Sequence, residues 1–371
     1  MKKTVIRWIL IPILFLSLSL SLSAQTVDEV LDKTEEETGY ASFLEAIPEE
    51  SVRFFEEYGI DLSSDAPAPA LSKIVKMFLS VFFLLLSEHL PLLTTGMATL
   101  LLFKLLFTLC SKNQRLMESL GYLSVVSSGV YSFAVIESLL SALTEITEQT
   151  ASFLTAALPV ISAARVWSGS QQGASVISAT LPLILTVLSS VVTTLYYPLC
   201  WFCYAASLSG FFRNQISLRP IISSVKKFCI RGVEILSGLS VGVFCVQRAA
   251  VASSDTVARK GVRFALLQLL PLAGGSLTEG IETVYACGRS LCGKIGVISV
   301  LAVAALFATP CIMGFFFVFL YSFLSSAGSF LGVGLLSDFY GDIKDTFSMM
   351  TCFSVCSLVV VSSALLLLTG G

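Results

Sequence analysis

The stretch Ile295–Phe323, IGVISVLAVAALFATPCIMGFFFVFLYSF, contains no charged residue. A helix that crosses a bilayer needs about 20 mostly apolar residues. This stretch is long enough to cross, and Pro310 and Gly314 are expected to kink it. It therefore predicts a membrane-spanning helix, and the rest of the chain is interpreted around it.

Similar apolar segments recur over residues 73–371, and we predict six to eight membrane segments, some of them re-entrant. Phe153–Ile161 is too short to cross alone, whereas Val176–Phe212 is long enough for two passes with a break near Pro198. The predicted fold class is an all-α, polytopic helical membrane protein with broken or re-entrant helices and an N-terminal signal peptide. The remaining candidate segments are Ile74–Leu93, Met97–Cys110, Leu120–Leu143, Val233–Ala252, Phe264–Leu272 and Cys352–Leu368.

The composition supports this fold class and excludes others. Of the 371 residues, 55% are hydrophobic and 13% are charged, and the mean hydropathy is +0.86. Soluble domains carry about 25% charged residues, so a soluble globular enzyme is excluded, and disorder would require low hydrophobicity. With 23 Lys+Arg against 25 Asp+Glu there is no basic excess for nucleic-acid phosphates.

The first 24 residues have the layout of a secretory signal peptide. Lys2, Lys3 and Arg7 form a basic start, an apolar stretch follows, and Ser23–Gln25 offers small residues for cleavage. An uncleaved signal anchor is the alternative. In both cases the basic end stays in the cytoplasm and the following residues emerge outside.

Residues 25–72 form an acidic segment, with 13 acids against two bases and no cysteine. Apolar residues recur at helical spacing, as at Phe43, Leu44 and Ile47 and again at Phe54, Phe55 and Tyr58. We predict two or three short amphipathic helices on the extracytoplasmic side. They are either a solvated linker or a docking segment that rests on the membrane body or on a partner.

Four groups of basic residues mark short loops in residues 73–371, and the positive-inside rule places all four in the cytoplasm. The segment Val233–Ala252 lies between the second and third groups and resembles a single helix. It should therefore be re-entrant or lie flat, or the rule fails there. The groups are Lys104, Lys112 and Arg115; Arg213, Arg219, Lys226, Lys227 and Arg231; Arg259, Lys260 and Arg263; and Arg289 and Lys294.

The search for motifs that carry chemistry is mostly negative. His89 is the only histidine, which excludes histidine-based zinc sites and HExxH peptidases, and no P-loop is present. Cys200-x-x-Cys203 lacks the second pair that a four-ligand zinc site needs. We therefore expect no catalytic residue, cofactor or metal site, and interpret the cysteines as small hydrophobes.

Two kinds of motif in the membrane segments bear on packing and transport. Gly238-x-x-x-Gly242 and Gly328-x-x-x-Gly332 predict close helix packing, with a homo-oligomer as one use. Glu279 and Glu282 follow the breaker Leu270–Gly275 and would share a helix face. These acids are either a midplane cation or proton site of an ion-coupled secondary transporter, or helix-end charges that pair with Arg289 or Lys294.

The region around this breaker resembles the stage III sporulation protein AE family of endospore-forming bacteria. The family pattern runs Gln, Asp, a basic residue before Phe, Pro-x-x-Gly-Gly, and two acids three apart. The resemblance spans roughly residues 105–350, although the family usually has Lys at the basic position and Asp at the two acidic ones. The matching residues are Gln247, Asp255, Arg263, Pro271, Gly274, Gly275, Glu279 and Glu282.

The resemblance implies a non-enzymatic membrane subunit of the channel or secretion apparatus between mother cell and forespore. The subunit would sit in the mother-cell membrane around the forespore and support late forespore gene expression. The implied partners are the other stage III A proteins, including an ATPase and ring-forming subunits, together with SpoIIQ.

Overall fold

A computed structural model describes residues 35–57, 71–110, 113–209, 219–269 and 274–369, and the predicted signal peptide lies outside these ranges. Throughout the described ranges the chain is helical, with no β-strand. The helices are α1 Tyr40–Glu45, α2 Glu49–Glu57, α3 Leu71–Glu88, α4 Leu90–Leu109, α5 Gln114–Trp167, α6 Gln171–Ser190, α7 Tyr197–Ser209, α8 Arg219–Leu269, α9 Gly274–Leu331 and α10 Gly334–Thr369.

Six stretches of these helices are long and apolar enough to cross a membrane. This confirms the prediction of an all-α, polytopic membrane protein, and Ile295–Phe323 lies within the most apolar of the six. The six stretches are Leu90–Leu109, Arg115–Trp167, Gln171–Ser209, Ser223–Ala258, Val284–Leu331 and Gly334–Leu367.

The membrane helices have fewer breaks than the sequence predicted. Leu120–Leu143 and Phe153–Ile161 belong to one helix, α5, which continues through Pro159. A proline removes one intrahelical hydrogen bond, and an apolar environment makes further unpaired backbone groups costly. The helix therefore bends or adjusts locally at the proline and does not end there.

The predicted break near Pro198 is also absent. Between α6 and α7 the chain forms a π-helix, Val191–Tyr196, in which the Tyr197 N–H donates to the Val192 carbonyl. A π turn is wider than an α turn and commonly absorbs such a local irregularity. Val176–Phe212 is thus helical without a break up to Ser209, the last residue described in this part of the chain.

The core lies where α9 packs along α10. Within these two helices, 72% and 67% of the apolar window is buried, the largest shares among the six. Tyr321 of α9 stacks on Phe347 of α10 with 5.2 Å between ring centroids. At the turn between them a Cβ on Gly328 would lie 3.0 Å from the Ser337 Cβ, so this glycine permits the close packing that its motif predicted.

The other helices surround this pair. Ser128 and Ser132 of α5 hydrogen-bond to Tyr340 and Tyr321, respectively, each at 3.1 Å. Lys226 of α8 is buried and donates to the Asp342 carbonyl of α10 at 2.6 Å. The apolar window of α8 is nevertheless only 11% buried, so most of its surface faces away from the protein.

The described part of the acidic segment rests on the membrane body. Phe43 and Phe55 are buried, and the Phe43 ring lies 6.0 Å from that of Phe153 on α5. Ser51 donates to the Ala302 carbonyl of α9 at 3.1 Å. Burial, with a further contribution from the Glu35 carboxylate, raises the pKa of Tyr40 to about 12. These contacts favour a docking segment over a solvated linker for residues 35–57.

Helix α8 separates two of the basic groups that the positive-inside rule placed together. It runs without a break from Arg219 to Leu269. At 1.5 Å per residue, Arg231 and Lys260 lie about 44 Å apart along it, which exceeds the about 30 Å of a hydrocarbon core. A re-entrant Val233–Ala252 is therefore wrong, and a crossing α8 places the second and third groups on opposite surfaces.

Candidate functional site

A buried carboxylate joins α8 to the turn between α5 and α6. Asp255 is 4% exposed, and its Oδ2 accepts a hydrogen bond from the hydroxyl of Ser170, which is fully buried. Ser170 precedes the first residue of α6. The sequence pattern picked out Asp255, and the structure shows that its partner lies 85 residues away. This contact fixes α8 against the α5–α6 turn.

Two glycines shape this region, one in the turn and one on α9 facing it. Gly169 has φ +76, a left-handed conformation that few other residues adopt readily. Gly288 of α9 faces the turn, and a Cβ there would lie 2.5 Å from both the Ser168 nitrogen and the Trp167 carbonyl carbon. The backbones of α9 and the turn are therefore in direct contact. Sequence reasoning did not assign either glycine, because their importance depends on the contact between α9 and the turn, which lie more than 100 residues apart in the sequence.

More polar groups gather beside this turn. Arg165, near the end of α5, is 7% exposed. Ser168 donates to the Arg165 carbonyl at 2.7 Å, and the Cys292 thiol of α9 lies near both residues. We call Arg165, Ser168, Ser170, Asp255 and Cys292 the junction cluster, because it brings α5, α6, α8 and α9 together.

Gln247 lies on the same face of α8 as Asp255, two helical turns earlier. Its Oε1 atom is buried and has no hydrogen-bond partner within the described part of the chain. Two residues of the predicted pattern, Gln247 and Asp255, thus face the interior together, but they do not bond to each other.

Arg263 and Glu282 form an ion pair at the end of α8 and the start of α9. Their side chains are 3.0 Å apart and are 60% and 55% exposed. Glu282 was expected to pair with Arg289 or Lys294 if it was a helix-end charge. That kind of role is supported, but the partner is wrong, because the α8–α9 hairpin brings Arg263 to it and Lys294 instead lies 3.5 Å from Glu35.

This geometry does not support the transport hypothesis. Glu282 precedes the apolar stretch Val284–Leu331 and is exposed, whereas a transport site near the midplane needs acids within the membrane segments. Gly274 and Gly275 are the first residues of α9. Pro271 and the Glu279 side chain lie outside the described residues.

The single histidine and the cysteines occupy packing positions. His89 precedes α4, and its ring lies 5.1 Å from that of Phe317 and 5.8 Å from that of Phe316. All ten cysteines are free, and Cys200 and Cys203 are both buried. Cys245 differs from the other nine because it is exposed, on α8.

The sequence comparisons assign the chain to a family. A family described as Stage III sporulation protein AE matches residues 55–369. The chain belongs to this family. It is also 20% identical, over 229 residues, to the Stage III sporulation protein AE of Bacillus subtilis (strain 168). No solved structure matches the chain.

The match to this relative is partial. It covers 62% of the present chain and 57% of the relative, so the chain spans little more than half of the relative's length. The stage III sporulation protein AE match includes α3 to α10 and begins at Phe55, within α2. All of the junction cluster therefore lies in the family region.

Proposed function

We propose that the protein is a non-enzymatic membrane subunit of the channel or secretion apparatus between mother cell and forespore, required for late forespore gene expression. The observation that carries the proposal is the family match over residues 55–369, which coincides with the six apolar helices. A family of stage III sporulation proteins acts in spore development, and a chain with so much lipid-facing helix acts within a membrane.

The arrangement of charged and polar groups is compatible with a scaffold. Asp255 is used to hold α8 against the α5–α6 turn, and Arg263 and Glu282 neutralise each other at the hairpin. These side chains are engaged in joining helices. The proposal places residues 35–57 and the α8–α9 hairpin on the extracytoplasmic side of the mother-cell membrane that surrounds the forespore.

Deletion of the gene in its spore-forming host tests this role. Vegetative growth and engulfment should be normal, whereas late forespore reporters should stay silent and heat-resistant spores should be lost. An ectopic copy of the gene should restore both. Normal numbers of heat-resistant spores in the deletion strain, or a defect in vegetative growth with intact spores, would contradict the proposal.

The proposed partners are the other stage III A proteins, including an ATPase and ring-forming subunits, and SpoIIQ. An affinity-tagged copy should recover them from sporulating cells after mild detergent extraction. Vegetative cells that express the tagged copy serve as the control. Recovery of none of these proteins from sporulating cells would separate the chain from this apparatus.

A further inference from the structure

Two membrane-spanning helices carry exposed charges of opposite sign. In the span of α8 the exposed charged residues are Lys227, Arg231 and Arg248, all basic. In the span of α5, beyond its first residue, they are Glu118, Glu137, Glu145 and Glu148, all acidic. Charged side chains that face lipid are costly and are usually paired or placed in a protein interior. Charges within the membrane part of these helices therefore favour partners outside the described fold.

Within the part of the chain that the structure describes, these charges do not pair with one another. Among the described residues, neither Glu137 nor Arg231 forms an ion pair or a side-chain hydrogen bond. Helix α10 packs against both α5 and α8, and it lies between them where Ser128 and Lys226 bind to it. We call the exposed acids of α5 the acidic face and the exposed bases of α8 the basic face. They are thus two separate surfaces of the molecule.

The charges on the two faces are compared by their position along the axis of α10. Ser128 of α5 contacts Tyr340, and Lys226 of α8 contacts Asp342, so both helices pass the same level of α10. Both then run towards the junction cluster, where Ser170 meets Asp255. Counted from the level of Tyr340 at 1.5 Å per residue, Glu137 stands about 14 Å and Arg231 about 11 Å along the common direction. The acid and the base are therefore within about 3 Å of the same level near this end. Counted back from Ser170 and Asp255 they differ by about 14 Å, because α5 uses 42 residues and α8 uses 29 between the two contacts, so the comparison of levels is made at the nearer contact with α10.

The rest of the basic face suits close contact with another helix. Arg231, Ile235, Gly238, Gly242 and Cys245 follow one another at spacings of four and three residues, so they lie on one side of α8. All five are exposed, and a Cβ at Gly238 or Gly242 would have nothing within 4 Å. The glycine motif that predicted close packing is therefore unused within the chain, and a neighbouring backbone has room to approach it.

We propose that the occupant of this face is a second copy of the chain, with α8 of one copy packed against α5 of the next and Arg231 paired with Glu137. A second pair, Arg248 with Glu148, is then offset by about 9 Å along the helices. The extended side chains of arginine and glutamate together span that offset.

In this proposal the two faces of one copy bind two different neighbours, so the contact is heterologous and leaves one free face at each end. In a membrane all copies share one orientation relative to the bilayer, which keeps the paired charges at the same depth. The contact repeats until the assembly closes into a ring of more than two copies. This inference does not depend on the role in sporulation, because the interface belongs to the chain itself.

A disulfide experiment tests the register. Ser152 is exposed on the acidic face and the native Cys245 is exposed on the basic face. Ser152 lies about 22 Å beyond Glu137 along α5, and Cys245 lies about 21 Å beyond Arg231 along α8. Ser152→Cys should therefore crosslink to Cys245 of a neighbour when membranes are oxidised with copper phenanthroline. Because each copy offers the introduced thiol on the acidic face and Cys245 on the basic face, the product should be a ladder of dimers, trimers and larger species.

Matched variants keep this test specific. Ser141→Cys lies on the same exposed face but about 17 Å lower on α5, and it should give no ladder. Ser152→Cys combined with Cys245→Ser should also give none. A ladder with Ser141→Cys equal to that with Ser152→Cys, a product that stops at the dimer, or a product that contains a different protein would overturn the proposal.

A charge exchange tests the pairing. In lipid nanodiscs, Glu137→Arg alone and Arg231→Glu alone should each shift the purified protein from multimer to monomer in native mass spectrometry. The double exchange should restore the multimer, which a folding defect in either single variant would not allow. Wild-type protein that is monomeric both in nanodiscs and in the crosslinking of native membranes would overturn the proposal.

Discussion

Asp255 is the residue whose sequence prediction and structural role meet most directly. Its carboxylate is buried and accepts from Ser170, although nothing near it in the sequence indicates that partner. Asp255→Ala should destabilise the protein by about 1–3 kcal/mol, because the buried Ser170 hydroxyl loses its acceptor. Thermal unfolding of the purified protein in detergent would measure the loss.

Asp255→Asn is the matched control for this prediction. The amide keeps an oxygen that accepts from Ser170, so the loss should be smaller than for alanine. Ser170→Ala combined with Asp255→Ala should cost less than the sum of the single changes, since the two side chains share one hydrogen bond. Strict additivity would show that the hydrogen bond does not join α8 to the turn.

At the scale of helices, Gly288 determines how closely α9 approaches the α5–α6 turn. Gly288→Ala places a Cβ 2.5 Å from the backbone of Trp167 and Ser168, so the helix or the turn must move. We expect a loss of about 1–3 kcal/mol, as for other overpacked sites, measured as a lower temperature of thermal unfolding.

Gly293 provides the control on the same helix. A Cβ there meets nothing within 4 Å, so Gly293→Ala should leave stability unchanged or raise it by about 0.5–1 kcal/mol through a better helix propensity. Equal effects of the two substitutions would mean that helix propensity, and not the close approach of the backbones, decides the result at Gly288.

Helix identity was largely predictable from the sequence, because apolar length alone marks a span. Ile295–Phe323 and Cys352–Leu368 both fall within membrane-length helices, the second reaching to the end of α10. Whether a helix continues through a proline was not predictable. Phe153–Ile161 was interpreted as a separate short segment and a break was predicted near Pro198, yet α5 continues through Pro159 and a π turn directly precedes the second proline.

The candidate site was predictable only in part. The family pattern indicated Asp255, Arg263 and Glu282, but their partners depend on how the helices are arranged. Ser170 and Asp255 are 85 residues apart, and Arg263 reaches Glu282 only because the chain reverses between α8 and α9. Contacts of that kind are set by tertiary packing, which local periodicity does not encode.

At the scale of the whole molecule, the unbroken helix α8 predicts that its two ends lie on opposite sides of the membrane. Lys227 and Lys260 are exposed and are about 50 Å apart along the helix. Cysteines introduced at these two positions should react with a membrane-impermeant maleimide from opposite sides of the membrane. Permeabilised cells, in which both should react, provide the control, and labelling of both from one side would show that α8 lies along the surface.

Helix α9 runs from Gly274 to Leu331 without interruption and is about 87 Å long, because it has 58 residues. Even at a tilt of about 40°, a hydrocarbon layer of about 30 Å takes up less than half of that length. The charged beginning of α9 therefore extends beyond the lipid. Residues 35–57 contact α9 further along, at Lys294 and Ala302. A protein that binds the first turns of α9 would therefore contact the same continuous helix that forms the core within the bilayer.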